Sequence, residues 1–261
     1  MGDPGANLRL ARRWVRRAAS RGAHLIVFPE CFVQGYSLRA DVLASAEADD
    51  GPSVRALAGL ARESGVAIVA GFIERDPGEA RRPFNSAAVI DGDGRPAGVY
   101  RKSHLFEREH DVFGRGDAYP TFDLRLGPSG RPVRVGVAIC ADIEYPEVIR
   151  LLTIGGARLV CVPSADMEPY RAQQAANLAS RAIENNIYVA LANTVDRRPT
   201  VDFFGGSGIA GPDGLLVSAG YGRQRLVVAT LSEAAVAASG GAGGYLRGRR
   251  PETYGRILER S

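Results

Sequence analysis

Val133-Arg-Val-Gly-Val-Ala-Ile-Cys-Ala-Asp142 is the stretch on which the reading of this chain turns. Its β-rich run of seven residues predicts a strand, and the run ends on a cysteine. Downstream, residues 146–154 read as a helix with proline in its permitted first turn. Residues 158–162 read as a strand stopped by Pro163, 171–185 as a helix and 187–192 as the strand after it. Further strands are predicted at 208–210 and 215–218, around the turn Pro212-Asp-Gly214, and at 226–230; the tail from Gly240 is glycine-rich and then basic. Upstream, Leu8, Ala11, Val15, Ala18 and Ala19 share one side of an amphipathic helix over 7–20. A strand over 24–28 follows, closed by Pro29 and Glu30, and then a helix over 53–64 and a strand over 66–70. Strands at 86–90 and 97–100 pair across Asp91-Gly-Asp-Gly94, with Lys102 just beyond the second. Residues 103–128 have little periodicity and are read as a functional or mobile segment. Alternating helices and strands with hairpins among them, and no linker, predict one α/β domain with mixed sheets.

The bulk composition narrows the function. A chain of 261 residues, 45% hydrophobic and 24% charged, can build a substantial core. No apolar run approaches a membrane span and the first ten residues lack a secretory pattern, so a cytoplasmic protein is expected. The net charge of +4 comes from scattered arginines, with small clusters at Arg12, Arg13, Arg16 and Arg17 and at Arg247, Arg249 and Arg250. Without interleaved aromatics these read as solvated faces, not as a nucleic-acid surface. Three cysteines form no CxxC pair, and His24, His104 and His110 have no metal-ligand spacing with them, so no metal is expected. Of the 33 basic residues only Lys102 is a lysine.

Glu30, Lys102 and Cys140 each follow an apolar strand closely, and carboxyl ends of strands in α/β folds converge where ligands bind. Singly each has an ordinary role: a loop cap, a solvated lysine, a small core residue. Together they make a nucleophilic site. A thiol needs a neighbouring base or cation to become a thiolate, and attack on an amide builds an oxyanion that placed donors stabilise. Glu30 can be the base, and Lys102 with the Ala141 N–H can be the donors. Cys31 lacks evident donors and Cys161 lies inside a strand, so both compare poorly. A pairing of Cys140 with His104 or His110 is a rival arrangement that spacing leaves open.

These residues lie in blocks that resemble the nitrilase, or carbon-nitrogen hydrolase, superfamily over nearly the whole chain. The blocks are Val27-Phe-Pro-Glu30, Tyr100-Arg-Lys-Ser-His-Leu-Phe106, Gly136-Val-Ala-Ile-Cys-Ala-Asp142 with Tyr145-Pro-Glu147, Arg181-Ala-Ile-Glu-Asn185, the segment from Gly206 to Gly214, and Arg249-Arg-Pro-Glu-Thr-Tyr254. The resemblance implies a carbon-nitrogen hydrolase domain over 1–261, folded as a four-layer αββα sandwich. It implies Glu30 as base, Lys102 as oxyanion donor, Cys140 as nucleophile and Glu109 as a second glutamate, with no cofactor. Cys140-Ala-Asp is more like the amidases than the nitrilases, so the implied reaction is hydrolysis of a small carboxamide through a thioester. An N-carbamoyl hydrolase or a nitrilase on the same triad, and a catalytically silent accessory protein, are the alternatives. The family's pairing through the cysteine-side helices implies a homodimer or a higher homo-oligomer.

Two departures from the pattern carry expectations. Members begin with a core strand ahead of the Gly-Asp that is here Gly2-Asp3, so the first core strand is expected to be absent and the native protein longer. Residues 193–200 contain Arg197-Arg-Pro199 where amidases often have a Gly-Glu segment, so the pocket is expected to differ there.

Overall fold

A computed structural model describes residues 2–78, 82–127, 130–232, 234–236 and 245–259. Its first sheet is formed by β1 (Leu25–Val27), β2 (Ala67–Glu74), β3 (Phe84–Ile90) and β4 (Pro96–Arg101), in that order. β1 runs parallel to β2, and the other neighbours are antiparallel. The second sheet contains β5 (Thr121–Arg125), β6 (Pro132–Val137), β7 (Leu159–Ser164), β8 (Tyr188–Asn193), β11 (Gly208–Gly211) and β12 (Gly214–Ser218), in the spatial order β12-β11-β8-β7-β6-β5. Between β8 and β11 the chain makes a separate hairpin, β9 (Val195–Arg198) and β10 (Val201–Phe204).

Side-chain alternation turns these sheets into layers. Along β2, Ile68, Ala70 and Phe72 face the helices α1 (Pro4–Ala19) and α3 (Pro52–Ser64), between which the chain forms the short helix α2 (Ala40–Leu43), whereas Ala67 and Val69 face the second sheet. Along β7, Val160 and Val162 pack on α5 (Pro146–Ile154) and α6 (Arg171–Asn185), whereas Leu159 and Cys161 point into the layer between the sheets. Period-two alternation with both faces apolar can be satisfied only by covering both faces, and the result is helix, sheet, sheet, helix. The four-layer mixed-sheet fold expected of the sequence is the one observed. Helix ends follow local rules: Asp3 Oδ1 accepts the Ala6 N–H at 2.9 Å at the start of α1, and Gly65 closes α3 at φ +68°.

Some expectations need correction. The segment read as functional or mobile holds, within residues 103–127, elements that its weak periodicity did not reveal: the short helix α4 (Glu109–Val112) and β5, where Phe122 and Leu124 point inward from an antiparallel pairing with β6. The hairpin β9–β10 was not anticipated. No strand forms over residues 226–230, although the run is apolar. A strand needs a ladder partner, and this run instead borders a cavity of about 810 Å³ that is also lined by Trp14, β1 and Tyr188. β1 is the edge strand of its sheet. The glycine-rich start of the tail lies outside the described residues. No described helix is long and apolar enough to cross a membrane.

Candidate active site

Glu30 stands three residues past β1 in a turn that grips the neighbouring strand. The Gly71 N–H donates to the Pro29 carbonyl at 3.2 Å, and the Val33 N–H donates to the Gly71 carbonyl at 3.1 Å. A Cβ on Gly71 would fall 2.5 Å from the Cys31 nitrogen and 2.7 Å from the Glu30 Cα, so this approach requires glycine. The Glu30 side chain is buried. Its Oε1 accepts from Lys102 Nζ and from Asn85 Nδ2, each at 2.7 Å, whereas Oε2 is buried with no partner among the described residues.

Lys102 leaves the end of β4 with its N–H bonded to the Asn85 carbonyl at 2.8 Å. Its ammonium, sequestered from solvent, touches Glu30 Oε1 at 2.7 Å and both oxygens of Glu109, at 3.1 and 2.8 Å. Glu109 is held in turn by the Phe106 N–H at 2.8 Å and faces Asn85 Nδ2 at 3.3 Å. One ammonium thus lies between two carboxylates. Burial pushes Glu30 up and Glu109 pushes the same way, against the pull of Lys102, leaving Glu30 at about 7. Burial lowers the Lys102 pKa, but Glu109 and Glu30 outweigh it and the ammonium is retained. The two carboxylates offer three oxygens to its three N–H groups, and a developing oxyanion can take the place of the longest of these contacts, Glu109 Oε1 at 3.1 Å.

Cys140 opens a tight 3-10 turn, Cys140–Glu144, with its backbone in the left-handed region at φ +46°. This conformation is uncommon for a residue with a Cβ and clusters at functional sites. Asp142 fastens the turn: its carboxylate accepts from the Ile139 N–H at 2.9 Å, Tyr100 OH at 2.7 Å, Ser103 Oγ at 3.0 Å and the His104 N–H at 2.9 Å. The cysteine turn is thereby tied to the segment that follows Lys102. Cys140 is raised well above the ordinary thiol range by burial, then by Asp166 and Glu30, while Lys102 and the Ala165 N–H favour the thiolate. The resting thiol is therefore protonated and donates to Asp166 Oδ1 at 3.2 Å.

The sequence model of the carbon-nitrogen hydrolase family matches residues 1–239. The chain belongs to the carbon-nitrogen hydrolase family. It is 34% identical to an (R)-stereoselective amidase of Pseudomonas sp, over 87% of this chain and 80% of that one. It is 30% identical to the N-carbamoylputrescine amidase of Solanum lycopersicum, over 98% and 91%. A mutant of the amidase from Nesterenkonia sp. AN1 superposes with a TM-score of 0.82 at 29% identity, covering 96% of this chain and 90% of that one. That structure shows covalent addition of the acetamide moiety of fluoroacetamide at the active-site cysteine. The protein is a hydrolase acting on carbon–nitrogen bonds.

In this hydrolase the structure brings Glu30, Lys102 and Glu109 into direct contact, with Cys140 in electrostatic reach of Glu30 and Lys102. It keeps the other candidates apart. His104 Nδ1 lies 3.0 Å from Asp142 and its ring stacks on Tyr145, whereas the His110 ring meets Arg115; neither bonds Cys140 among the described residues. Cys161 is wholly buried between the sheets, and Cys31 faces the Asn85 Oδ1 at 3.5 Å. The Ala141 N–H lies in the first turn of the 3-10 helix, where backbone donors lack intrahelical acceptors. The groups of chemistry that sequence reasoning missed are Asn85, Asp142 and Asp166. Asp166 could have been found, because it too stands just past a strand. Asn85 carries its signal only as a polar residue in an apolar strand, and Asp142 only in its spacing from Cys140.

Proposed function

We propose that this hydrolase converts a small carboxamide to its carboxylic acid and ammonia through a thioester on Cys140. The observation that carries the reading is the buried, unpartnered Glu30 Oε2 on a carboxylate whose other oxygen is pinned by Lys102 and Asn85. A carboxylate at about 7 is poised to take a proton near neutrality and to return it.

Glu30 takes the thiol proton as the Cys140 sulfur attacks the amide carbon. The carbonyl oxygen becomes an oxyanion held by Lys102 and the Ala141 N–H. Glu30 gives its proton to the amide nitrogen, the C–N bond breaks, ammonia leaves and the thioester remains. Glu30 then takes a proton from a water that attacks the thioester. The C–S bond breaks and the sulfur recovers the proton from Glu30 as the acid is released. Glu109 positions Lys102 by charge and hydrogen bonding. The likeness to amidases, one of which takes the acetamide moiety of fluoroacetamide covalently at its active-site cysteine, supports this choice of bond.

Ammonia release from a panel of amides tests the reading. Activity should vanish in Cys140→Ala with the circular-dichroism spectrum unchanged, and activity that survives would end the proposal. Hydrolysis of N-carbamoyl amines on the same groups is a second reading, favoured by the 30% identity to an N-carbamoylputrescine amidase. Carbon dioxide among the products identifies it. A silent accessory protein would release ammonia from neither class. Within this proposal the protein works in the cytoplasm as a homodimer, on no nucleic acid. The exposure of Tyr145, Leu151, Ile154 and Ile183 on and beside the cysteine-side helices supports that pairing, and light scattering of the purified protein checks it.

A further inference from the structure

Arg181 belongs to a block of sequence that the mechanism above leaves unused, yet its side chain ends on the catalytic turn. On α6, Asn177, Arg181 and Glu184 recur four and then three residues apart and so share one helix face. Arg181 is buried and reaches the far end of the Cys140–Glu144 turn: its Nε donates to the Ile143 carbonyl at 2.9 Å and its Nη2 to the Glu144 carbonyl at 3.0 Å. Its Nη1 meets Glu184 Oε1 at 3.2 Å, and Asn177 Nδ2 donates to the Glu144 carboxylate at 2.9 Å. The Ile143 carbonyl needs a donor from outside the turn. The next 3-10 bond onto it would come from position 146, and Pro146 has no N–H; the chain is already extended at Tyr145, with ψ 107°.

Cys140 stands at the head of this turn with φ +46°. A residue with a Cβ keeps such a conformation only where its surroundings over-determine it. Asp142 supplies that restraint on the side of Lys102, and Arg181 supplies it on the side of α6. Resting on the reading of Cys140 as the nucleophile, we propose that Arg181 is a positioning residue of this hydrolase. Its guanidinium fork fixes the end of the turn, and thereby the angle at which the Cys140 sulfur and the Ala141 N–H meet the reacting carbonyl. The fork requires arginine: N–H groups in one plane reach two successive carbonyls, whereas a lysine ammonium is a point donor on a flexible stem. Among the described residues the Arg181 side chain bonds Ile143, Glu144, Asn177 and Glu184 and none of Glu30, Lys102, Glu109 or Cys140. Loosening the fork therefore slows the bond-making steps and leaves affinity alone.

The test measures kcat and KM for an amide that the wild type hydrolyses, and the rate at which iodoacetamide alkylates Cys140, in wild type, Arg181→Lys and Leu178→Ala. Leu178 lies on the same helix and packs in the apolar core, so its truncation reports the cost of a weakened α6 alone. Arg181→Lys should lose about 10- to 100-fold in kcat with KM nearly unchanged. Alkylation should slow with it, because a misplaced sulfur meets Glu30 less well and gives up its proton less readily. Leu178→Ala should melt earlier than the wild type and keep its kcat. A change confined to KM overturns the proposal, since it makes Arg181 part of the substrate pocket. So does an equal loss of kcat in Leu178→Ala, which reduces the effect to stability. Should Arg181→Lys fail to fold, Arg181→Gln, which buries no ammonium, carries the same comparison. If the wild type hydrolyses no amide but alkylation still slows in Arg181→Lys, the amidase reading fails and the positioning role stands. If the wild type hydrolyses amides and Arg181→Lys does so with equal kcat, the positioning role fails alone.

Discussion

Glu109→Gln removes one of the two negative charges around Lys102 and keeps an oxygen for both Lys102 and the Phe106 N–H. Because both carboxylates grip the same nitrogen, at 2.7 and 2.8 Å, their charged oxygens lie roughly 5 Å apart, and at an effective dielectric near 20 they repel by about 3 kcal/mol. That energy corresponds to about 2 pH units. The sign follows from which form is disfavoured. Glu109 opposes the ionised form of Glu30, so its neutralisation stabilises the Glu30 carboxylate and lowers its pKa from about 7 toward about 5. The base works only when ionised, so the acid limb of kcat/KM should move down by that amount. The plateau should fall by about 10- to 100-fold, as Lys102 loses a charged anchor. The assay is ammonia release from one neutral amide across the pH range, since kcat/KM reports the free enzyme. The limb belongs to the whole cluster, so its movement is read as one apparent value. A limb that stays near 7 while the plateau falls would refute the reasoning, because the group that titrates would then be blind to the charge on Glu109.

Asn85→Asp should act in the opposite sense: a third carboxylate beside the single ammonium raises Glu30, moves the acid limb upward, and depresses the rate at neutral pH. Gly71→Ala puts a methyl against Pro29 and Glu30, so thermal unfolding should show a loss of about 1–3 kcal/mol, with kcat falling as the base shifts. Asp142→Ala leaves four donors without their acceptor, and denaturant unfolding should report a loss of about 2–4 kcal/mol. Iodoacetamide at neutral pH should label Cys140 ahead of Cys31 and Cys161, read by peptide mass. Cys161 is buried without a base and pushed up to about 12, and equal slow labelling of all three would count against an activated thiol.

The layers were legible because burial imposes a period. Ala11, Val15 and Ala18 on α1 and the alternation of β2 repeat at intervals that only a helix or a strand can satisfy. Glu30, Lys102 and Cys140 were legible because strands end where the rim of the site begins. β5 was not, since Phe122 and Leu124 are only two apolar residues and owe their order to pairing with β6. Residues 226–230 failed in the other direction: their composition suits a strand, but a strand exists only if a neighbour supplies the ladder. Asp166 shares the strand-end signal of Glu30, Lys102 and Cys140, but which groups Asn85, Asp142 and Asp166 meet is set by contacts across 24 to 55 positions of sequence, and no local pattern announces those partners.

Lys102 is the chain's only lysine, and it is buried among the groups assigned here to catalysis. A lysine-specific protease therefore has one bond to cut in the whole molecule, the bond that follows Lys102. That bond becomes available only when β4 and its following loop pull away from Glu30 and Glu109. Digestion yields two fragments, and its rate at rising denaturant measures how often this part of the site opens, with no substrate or label required.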